Sequence, residues 1–458
     1  MNSTRIVVIG AGPAGTRAAL TLARAGLRPT LIDEAPSNGG QIYRRRPQAL
    51  GDRGNPYGFE TRKAARLHRD FDAARDAIDF RGDATVWDVK PGIVHAIEQN
   101  RAITMGWDRL IIATGAMDRT IPFPGWTLPG VITLGGAQTL LKAQRSIAGS
   151  RVVLFGSGPL LYLVAYQYAR AGAGVAAVLD TSPRARLSDA ATAAIAGGTA
   201  FLKGLYYVSA LAARGIRIWT GVTGFAVDGD GTVKRATWTD AQGVARSLPC
   251  DAVAAGFNLV SQTQIADLCE LQFAFNALQR QWLPVVDDAG RSANPAIYLA
   301  GDGAAIGGAD VAELTGERAA LALLADLQQG ASQRRIERIN RKLRRSARFR
   351  KALDGRLFPF PEALARALDD DVMICRCEGI TAGEIRNSVE TLGADELNRA
   401  KAFSRVGMGR CQGRVCAAAA TELIADAARC PIERVGRLRG QAPVKPVPLA
   451  LIAGDAER

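Results

Sequence analysis

The run RIVVIGAGPAGTRAALTLARAGLRPTLIDE, Arg5 to Glu34, decides the fold. Arg5 to Ile9 is a short apolar segment of the kind that forms a buried strand. Ala14 to Ala25 has helical composition, and Gly26 ends it. Thr30 to Asp33 returns to strand. Between strand and helix stand Gly10, Gly12 and Gly15, in the spacing G-x-G-x-x-G, with Pro13 and Ala14 opening the helix. The three glycines have separate tasks. Gly10 makes the tight turn, Gly12 lets the backbone approach a pyrophosphate, and Gly15 permits close helix–strand packing. The helix N-terminus then faces the negative phosphate. Asp33, with Glu34 beside it, stands where an acid binds ribose hydroxyls. Strand, glycines, helix and acid in register make a dinucleotide-binding βαβ unit.

Around this unit the chain has 458 residues, enough for two or three domains. Apolar residues at 48% and charged residues at 22% describe a soluble globular protein. The N-terminus enters the first strand without the pattern of a secretion signal. Seven cysteines, an odd number, in a reducing compartment point to metal or redox chemistry rather than disulfides. The expected location is cytoplasmic, or peripheral at the inner membrane. The uncharged run Val152 to Ala169 is broken by Gly156, Ser157, Gly158 and Pro159. It reads as strand, turn and helix, not as a transmembrane segment.

The net charge of +14 is concentrated. Arg334 to Lys351 holds ten basic residues and one acid, so +9 lies there. Ile336, Ile339, Leu343 and Ala347 share one helical face. We read a linker helix whose basic side faces solvent or a neighbouring subunit. An anionic membrane surface is the alternative; no nucleic-acid motif or aromatic interleaving accompanies it.

Three later pieces specify the dinucleotide. They are GGQIYR (Gly39 to Arg44, with Gly40 and Gln41), DRLIIATGA (Asp108 to Ala116) and AIYLAGDGA (Ala296 to Ala304). In these the chain resembles the two-dinucleotide-domain flavoproteins related to glutathione reductase and thioredoxin reductase. The resemblance implies an α/β fold with FAD. It places Thr114 and Gly115 near the flavin, and Gly301 and Asp302 near the ribityl chain and phosphate. A second βαβ unit starts at Arg151, with Gly156 and Gly158 present but Leu161 at the third glycine position. A side chain there should hold the helix off the strand, which opposes NAD(P) binding. Asp180 ends its second strand. The segment from Ile216 to Asp240 reads as an antiparallel meander turning at Asp228 to Gly231. No redox-active cysteine pair of the disulfide-reductase kind is present, and neither His68 nor His95 sits in a catalytic pattern. No catalytic residue is assigned.

Cys375 and Cys377 form C-x-C, and Cys411 and Cys416 form C-x4-C, thirty-three residues later. Four thiolates hold zinc or an iron–sulfur cluster, and spacing alone leaves both open. Charge favours a cluster. A Cys-ligated [2Fe–2S] centre is a net dianion, and Arg376, Arg410 and Arg414 flank the cysteines. Cys416 also opens a strong helix former, whose positive end faces the cluster.

CRCEGIT and SRVGMGRCQGRVC together resemble the bacterioferritin-associated-ferredoxin type of [2Fe–2S] domain, a small α-helical unit. The resemblance assigns all four cysteines as ligands. GGQIYRR and ATGAMDRTIPFPGWTLPGV resemble a narrower family: the flavin and iron–sulfur subunits of opine oxidases, D-hydroxyproline dehydrogenase and hydrogen cyanide synthase, with sarcosine oxidase α more distant. It covers Arg5 to Ala428.

That resemblance implies an electron-transfer subunit of a heteromeric dehydrogenase or oxidase acting on an amino acid, imino acid or opine. The partner is a catalytic flavin subunit of the glycine-oxidase or D-amino-acid-oxidase type. A small ferredoxin-like subunit is also compatible. The acceptor is a quinone or cytochrome. The resemblance also allows an FMN at a subunit interface, with no residues assigned. The competing readings are a stand-alone NAD(P)H-dependent reductase and a zinc-bearing assembly protein. The expected domains are 1–118 with 294–331 for FAD, 119–293 inserted, a basic linker at 332–370, the cluster domain at 371–434 and a tail at 435–458.

Overall fold

The structure is a computed structural model in which residues 4–46 and 57–453 are described. The ends of the first expected domain and of the tail therefore fall partly outside the described residues. A five-stranded parallel sheet runs in the order Ile297–Leu299, Arg109–Ile112, Ile6–Ile9, Thr30–Ile32, Asp79–Arg81. Ile6 to Ile9 are all buried: helices cover Ile6 and Val8 on one face, and the antiparallel sheet Ala84–Lys90, Ile93–Glu98, Arg101–Gly106 covers Val7 and Ile9 on the other. The helix Pro13–Arg24 packs against Ala309–Asp326. Between them a buried ion pair joins Arg17 to Glu313 at 2.6 Å.

A second parallel sheet has the order Ile218–Thr220, Gly174–Asp180, Arg151–Ser157, Ala252–Phe257, Val131–Thr133. Here one expectation is corrected. Ile218–Thr220 is no part of an antiparallel meander: it pairs in parallel with Val178 to Asp180. The antiparallel sheet is Thr223–Asp228, Arg235–Thr239 and Ala245–Pro249. Three residues are too few for periodicity to separate the two kinds of strand.

The chain passes between the two sheets at a short antiparallel pair, Ala116–Asp118 with Leu259–Ser261. After that pair, Ile265, Ala266 and Leu271 join the apolar cluster of Val7, Ile9 and Leu110. The basic stretch is the helix Gln333–Ala352, capped by the Ser332 side chain. Ile339 is buried, and Ile336 and Leu343 pack on the first core, whereas Ala347 is exposed. No helix among the described residues is long and apolar enough to cross a membrane.

The C-terminal unit holds a two-stranded pair, Met373–Cys375 with Ile380–Thr381, and the helices Ala382–Glu390, Leu397–Ser404 and Ala417–Ala427. The first of these helices has a complete capping box between Thr381 and Glu384. The unit shares its apolar cluster with the second sheet: Phe155 and Val253 belong with Ile374, Leu423 and Ile424. It is anchored by Glu422, 1% exposed, which takes Arg280 at 2.9 Å and Arg366 at 3.4 Å. Removing one member of such a pair strands a buried charge, at about 3–5 kcal/mol. We predict that Glu422→Ala lowers the thermal midpoint followed by circular dichroism, and more than the exposed change Glu390→Ala does. Equal midpoints would show that the pair anchors nothing.

Candidate functional site

A cavity of about 730 Å³ opens at the carboxyl ends of the first sheet's strands, where open α/β sheets bind ligands. Every residue chosen from sequence for the flavin lines it, except Gly15. That exception matches the separate tasks of the glycines. A Cβ on Gly15 would stand 1.8 Å from the Gly10 carbonyl oxygen, and one on Gly10 would stand 2.3 Å from that of Ala113. A Cβ on Gly12 would meet no protein atom within 4 Å. Gly10 and Gly15 serve chain packing, while Gly12 borders open space in the cavity, as a phosphate cradle requires.

Two buried carboxylates frame the cavity. Asp33 accepts N–H bonds from Ala11 at 2.5 Å and Ala35 at 2.7 Å. Burial pushes its pKa up, and these donors offset part of that rise. Asp302 accepts from the Gly307 and Gly308 N–H groups at 2.8 and 3.0 Å, and burial again raises its pKa. Gly308 is the N-cap of Ala309–Asp326, and Ala309 and Ala312 line the cavity. The positive end of that helix therefore faces the space, as does that of Pro13–Arg24. Glu34 lies on the outer side, ion-paired with Lys445 at 2.9 Å. Thr114 donates its hydroxyl to the Gln262 carbonyl at 2.6 Å, which fixes the A-T-G turn.

The four cysteines come together at one edge. Cys375 ends its strand, Cys377 follows in the turn, Cys411 lies in the next loop, and Cys416 is the N-cap of Ala417–Ala427. The thiols touch in sequence: Cys375 with Cys416, Cys416 with Cys411, and Cys411 with Cys377. Contact with the Cys416 thiol holds Cys375 down at about 6 and Cys411 at about 5, while Cys416 itself is pushed up. Burial raises Cys377. Backbone N–H groups of Gly407 and Glu378 point at Cys375, and those of Val415 and Gly413 point at Cys411. Four crowded thiols with amide donors around them suit an anionic cluster with a cationic metal core. As they stand, the sulfurs touch one another, and no three His, Cys, Asp or Glu side chains among the described residues are placed to hold a metal ion. Ligation requires the sulfurs to part. A Cβ on Gly409 would come within 2.2 Å of the Cys377 Cβ, so the loop closes only with glycine there.

The cavity and the cysteine loops are continuous. Arg376, between Cys375 and Cys377, and Arg414 and Val415, just before Cys416, line the same cavity as Gly12 and Thr114. Arg376 lies over the Trp126 ring at 5.0 Å, and Trp126 Nε1 donates to the Met373 carbonyl at 2.7 Å. The exposed Arg410 does not line the cavity.

The tail from Gly436, which the sequence leaves without a role, straps this contact shut. Arg437 forms a two-pronged pair with Asp267 at 2.7 and 2.8 Å. Arg414 donates to the Val444 carbonyl, and the Val444 N–H donates to the Trp87 carbonyl at 3.0 Å. Val444 is buried in the first core, and Lys445 reaches Glu34 at the cavity rim. The one trace of this in the sequence is an apolar valine between basic and proline residues, too small a signal to read.

The second βαβ unit is built differently. Leu161 is fully buried among Leu134, Val152 and Leu154, so its side chain fills the helix–sheet junction. Asp180 already takes the Tyr162 hydroxyl at 2.5 Å and the Ser182 N–H at 2.7 Å. Burial pushes Asp180 up to about 6. The linker's Phe358 stands beside Tyr162, ring centres 6.1 Å apart. Elsewhere, burial pushes the Cys250 thiol up to about 11 and the Cys269 thiol to about 12, which makes both poor nucleophiles.

We predict that Gly12→Val yields folded protein with FAD affinity lowered on the order of tenfold or more, because the added methyl groups enter ligand space. Gly15→Val should fail to fold, since its Cβ meets backbone. Flavin absorbance per chain and circular dichroism separate the outcomes; equal behaviour of the two variants would contradict the division of roles.

Comparison with known proteins agrees with this architecture. Residues 4–316 match the pyridine nucleotide-disulphide oxidoreductase family, and residues 373–426 match the BFD-like [2Fe–2S] binding domain. The A subunit of opine oxidase from Rhizobium meliloti is 36% identical, over 98% of this chain and 87% of its own length. Hydrogen cyanide synthase subunit HcnB of Pseudomonas aeruginosa is 32% identical, over 97% of each chain. The crystal structure of L-proline dehydrogenase from P. horikoshii has the same fold, with a TM-score of 0.72 and 18% identity over 98% of this chain and 79% of that one. The chain is thus an oxidoreductase of the pyridine nucleotide-disulphide oxidoreductase family, with FAD and a [2Fe–2S] cluster as its cofactors, and it belongs with HcnB and the A subunits of the opine oxidases.

Proposed function

We propose that this chain is the electron-transfer subunit of a heteromeric dehydrogenase or oxidase that oxidises the C–N bond of an amino acid, imino acid or opine. The observation that carries the reading is the shared cavity, in which Gly12 and Thr114 stand with Arg376 and Arg414 of the cysteine loops. In this reading FAD is held by Gly10, Gly12, Asp33, Glu34, Gly40, Gln41, Thr114, Gly115, Gly301 and Asp302, and Cys375, Cys377, Cys411 and Cys416 hold the cluster. A bound flavin accepts electrons in pairs and a [2Fe–2S] cluster takes them singly.

The residues of the chain supply placement and charge. The helix N-termini at Pro13 and Ala309 and the guanidinium groups of Arg376 and Arg414 favour negative charge in the cavity. The tail keeps the cysteine loops against it. Proton chemistry on a substrate has no evident agent. His68 Nε2 lies 2.9 Å from the Tyr43 carbonyl oxygen, and His95 stands against Trp87. Substrate oxidation therefore falls to a separate flavin-bearing polypeptide in the same complex. An FMN at the interface with that partner belongs to the same reading. Direct reduction by NAD(P)H is disfavoured, because Tyr162 occupies the acid a nicotinamide nucleotide would use.

The test is purification of the chain by itself and with its co-expressed partner. We expect FAD and two irons per chain, flavin bleaching by substrate only when the partner is present, and slow oxidation of NADH. Rapid, complete flavin reduction by NADH in the isolated chain would overturn the reading, as would one zinc per chain in place of iron.

A further inference from the structure

We propose that the helical hairpin after the second dinucleotide unit, together with the basic linker helix beside it, seats the protein on an anionic lipid surface. The hairpin is the helix Leu187–Gly197 followed by Thr199–Ala212. Ala193, Tyr207 and Leu211 face inward and are buried. The outer side is apolar. Leu187 is 90% exposed, Ile195 84% and Leu202 62%, with Leu205 and Tyr206 about half exposed. Isolated exposed leucines are ordinary, but a contiguous apolar patch on paired helices marks a contact surface.

The unpaired charge around this patch is positive, the acids Asp189 and Glu60 being held by Arg356 and Lys203. Asp189 is bound by Arg356 at 3.3 Å, and from Ala190 to Val227 the chain has no Asp or Glu. The hairpin's turn rests on the basic helix: a Cβ on Gly198 would lie 2.9 Å from the Arg345 guanidinium, and Gly197 abuts the Phe349 ring. Arg335 and Arg350 of that helix are satisfied by Glu317 and Asp354. Arg338, Arg341, Lys342, Arg344 and Arg348 are exposed and make no ion pair among the described residues.

Protruding leucines beside unpaired cations are the two signals of a monotopic membrane surface. The apolar side chains enter the headgroup–acyl boundary, the cations meet anionic headgroups, and tyrosine suits the interface between them. A protein partner would need shaped pockets for Leu187 and Ile195 and a row of acids for the helix; a fluid anionic bilayer supplies both without shape matching. Charge complementarity therefore selects lipid. Surface chemistry carries this independently of the proposed function, whose electrons such a seat would bring to a membrane-borne acceptor.

The test floats the full, flavin-bearing chain with phosphatidylcholine vesicles and with vesicles enriched in phosphatidylglycerol. We expect binding to the anionic vesicles only, weakened by salt. Leu202→Ser with Leu205→Ser, and separately Arg338→Glu with Arg341→Glu and Arg344→Glu, should each weaken it by about tenfold. Unchanged flavin absorbance shows that both variants are folded, and the charge variant leaves the apolar packing untouched. Three results would overturn the proposal: no binding to anionic vesicles, binding that neither variant alters, or a patch buried in a second copy or the catalytic partner, shown by an assembly that the leucine variant dissolves while vesicles are ignored.

Discussion

The buried Arg280–Glu422 pair is the constraint on which the rest depends. Glu422 sits on the helix whose N-cap is Cys416, under two turns away. Arg280 follows the strand Phe273–Asn276 in a tight hairpin of the flavin unit's side, and its guanidinium also holds Glu362 at 2.7 Å. The Phe360 ring lies 5.2 Å from the Arg119 guanidinium and 5.4 Å from that of Arg280. One carboxylate thus ties the cluster helix, the linker and the hairpin together. Because both charges are removed from water, they persist only if each keeps its partner. The pair defines a geometry more than it adds stability, and that geometry sets Arg376 and Arg414 against the flavin cavity.

The local chemistry of both sites was legible in the sequence, for a physical reason. A phosphate cradle needs glycine at fixed spacing, and a soft metal centre needs clustered thiols, so both leave a mark in short stretches of sequence. Gly12 and a four-thiol site could therefore be named from spacing alone, whereas Thr114, Asp302 and the choice of a cluster over zinc rested on the family resemblance. What joins the sites was not legible. Trp126, Asp267 and Lys445 are ordinary residues, each a hundred or more positions from the partner it touches. No periodicity marks such a contact. The three-residue strand Ile218–Thr220 is assigned the wrong sheet for a related reason: its direction is set by its neighbour across the sheet, not by its own pattern.

The second dinucleotide unit keeps its fold around an altered fingerprint. A missing third glycine predicts a helix held away from the strand. Leu161 instead fills the junction completely, and the parallel pairing of Arg151–Ser157 with both neighbours is intact. The acid that would face a ribose has been taken by Tyr162 from the adjacent helix. Leu161 and the Tyr162–Asp180 hydrogen bond thus tie both fingerprint positions into the unit's own packing. The linker's Phe358 then rests beside Tyr162.

The altered unit bears on the direction of electron entry that the proposed function requires. In a fold of two dinucleotide units, the second one is the natural donor side of the flavin. Here the linker's Phe358 stands against Tyr162 of the second unit, while the tail ties Lys445 to Glu34 at the cavity rim. Both additions come from residues after 331, the portion of the chain that also carries the cysteines. The linker, the cysteine loops and the tail are therefore one continuous addition packed onto the two dinucleotide units. A linker that merely tethered the cysteine domain would need none of these contacts, whereas this one packs Phe358 against Tyr162 and Phe360 against Arg280.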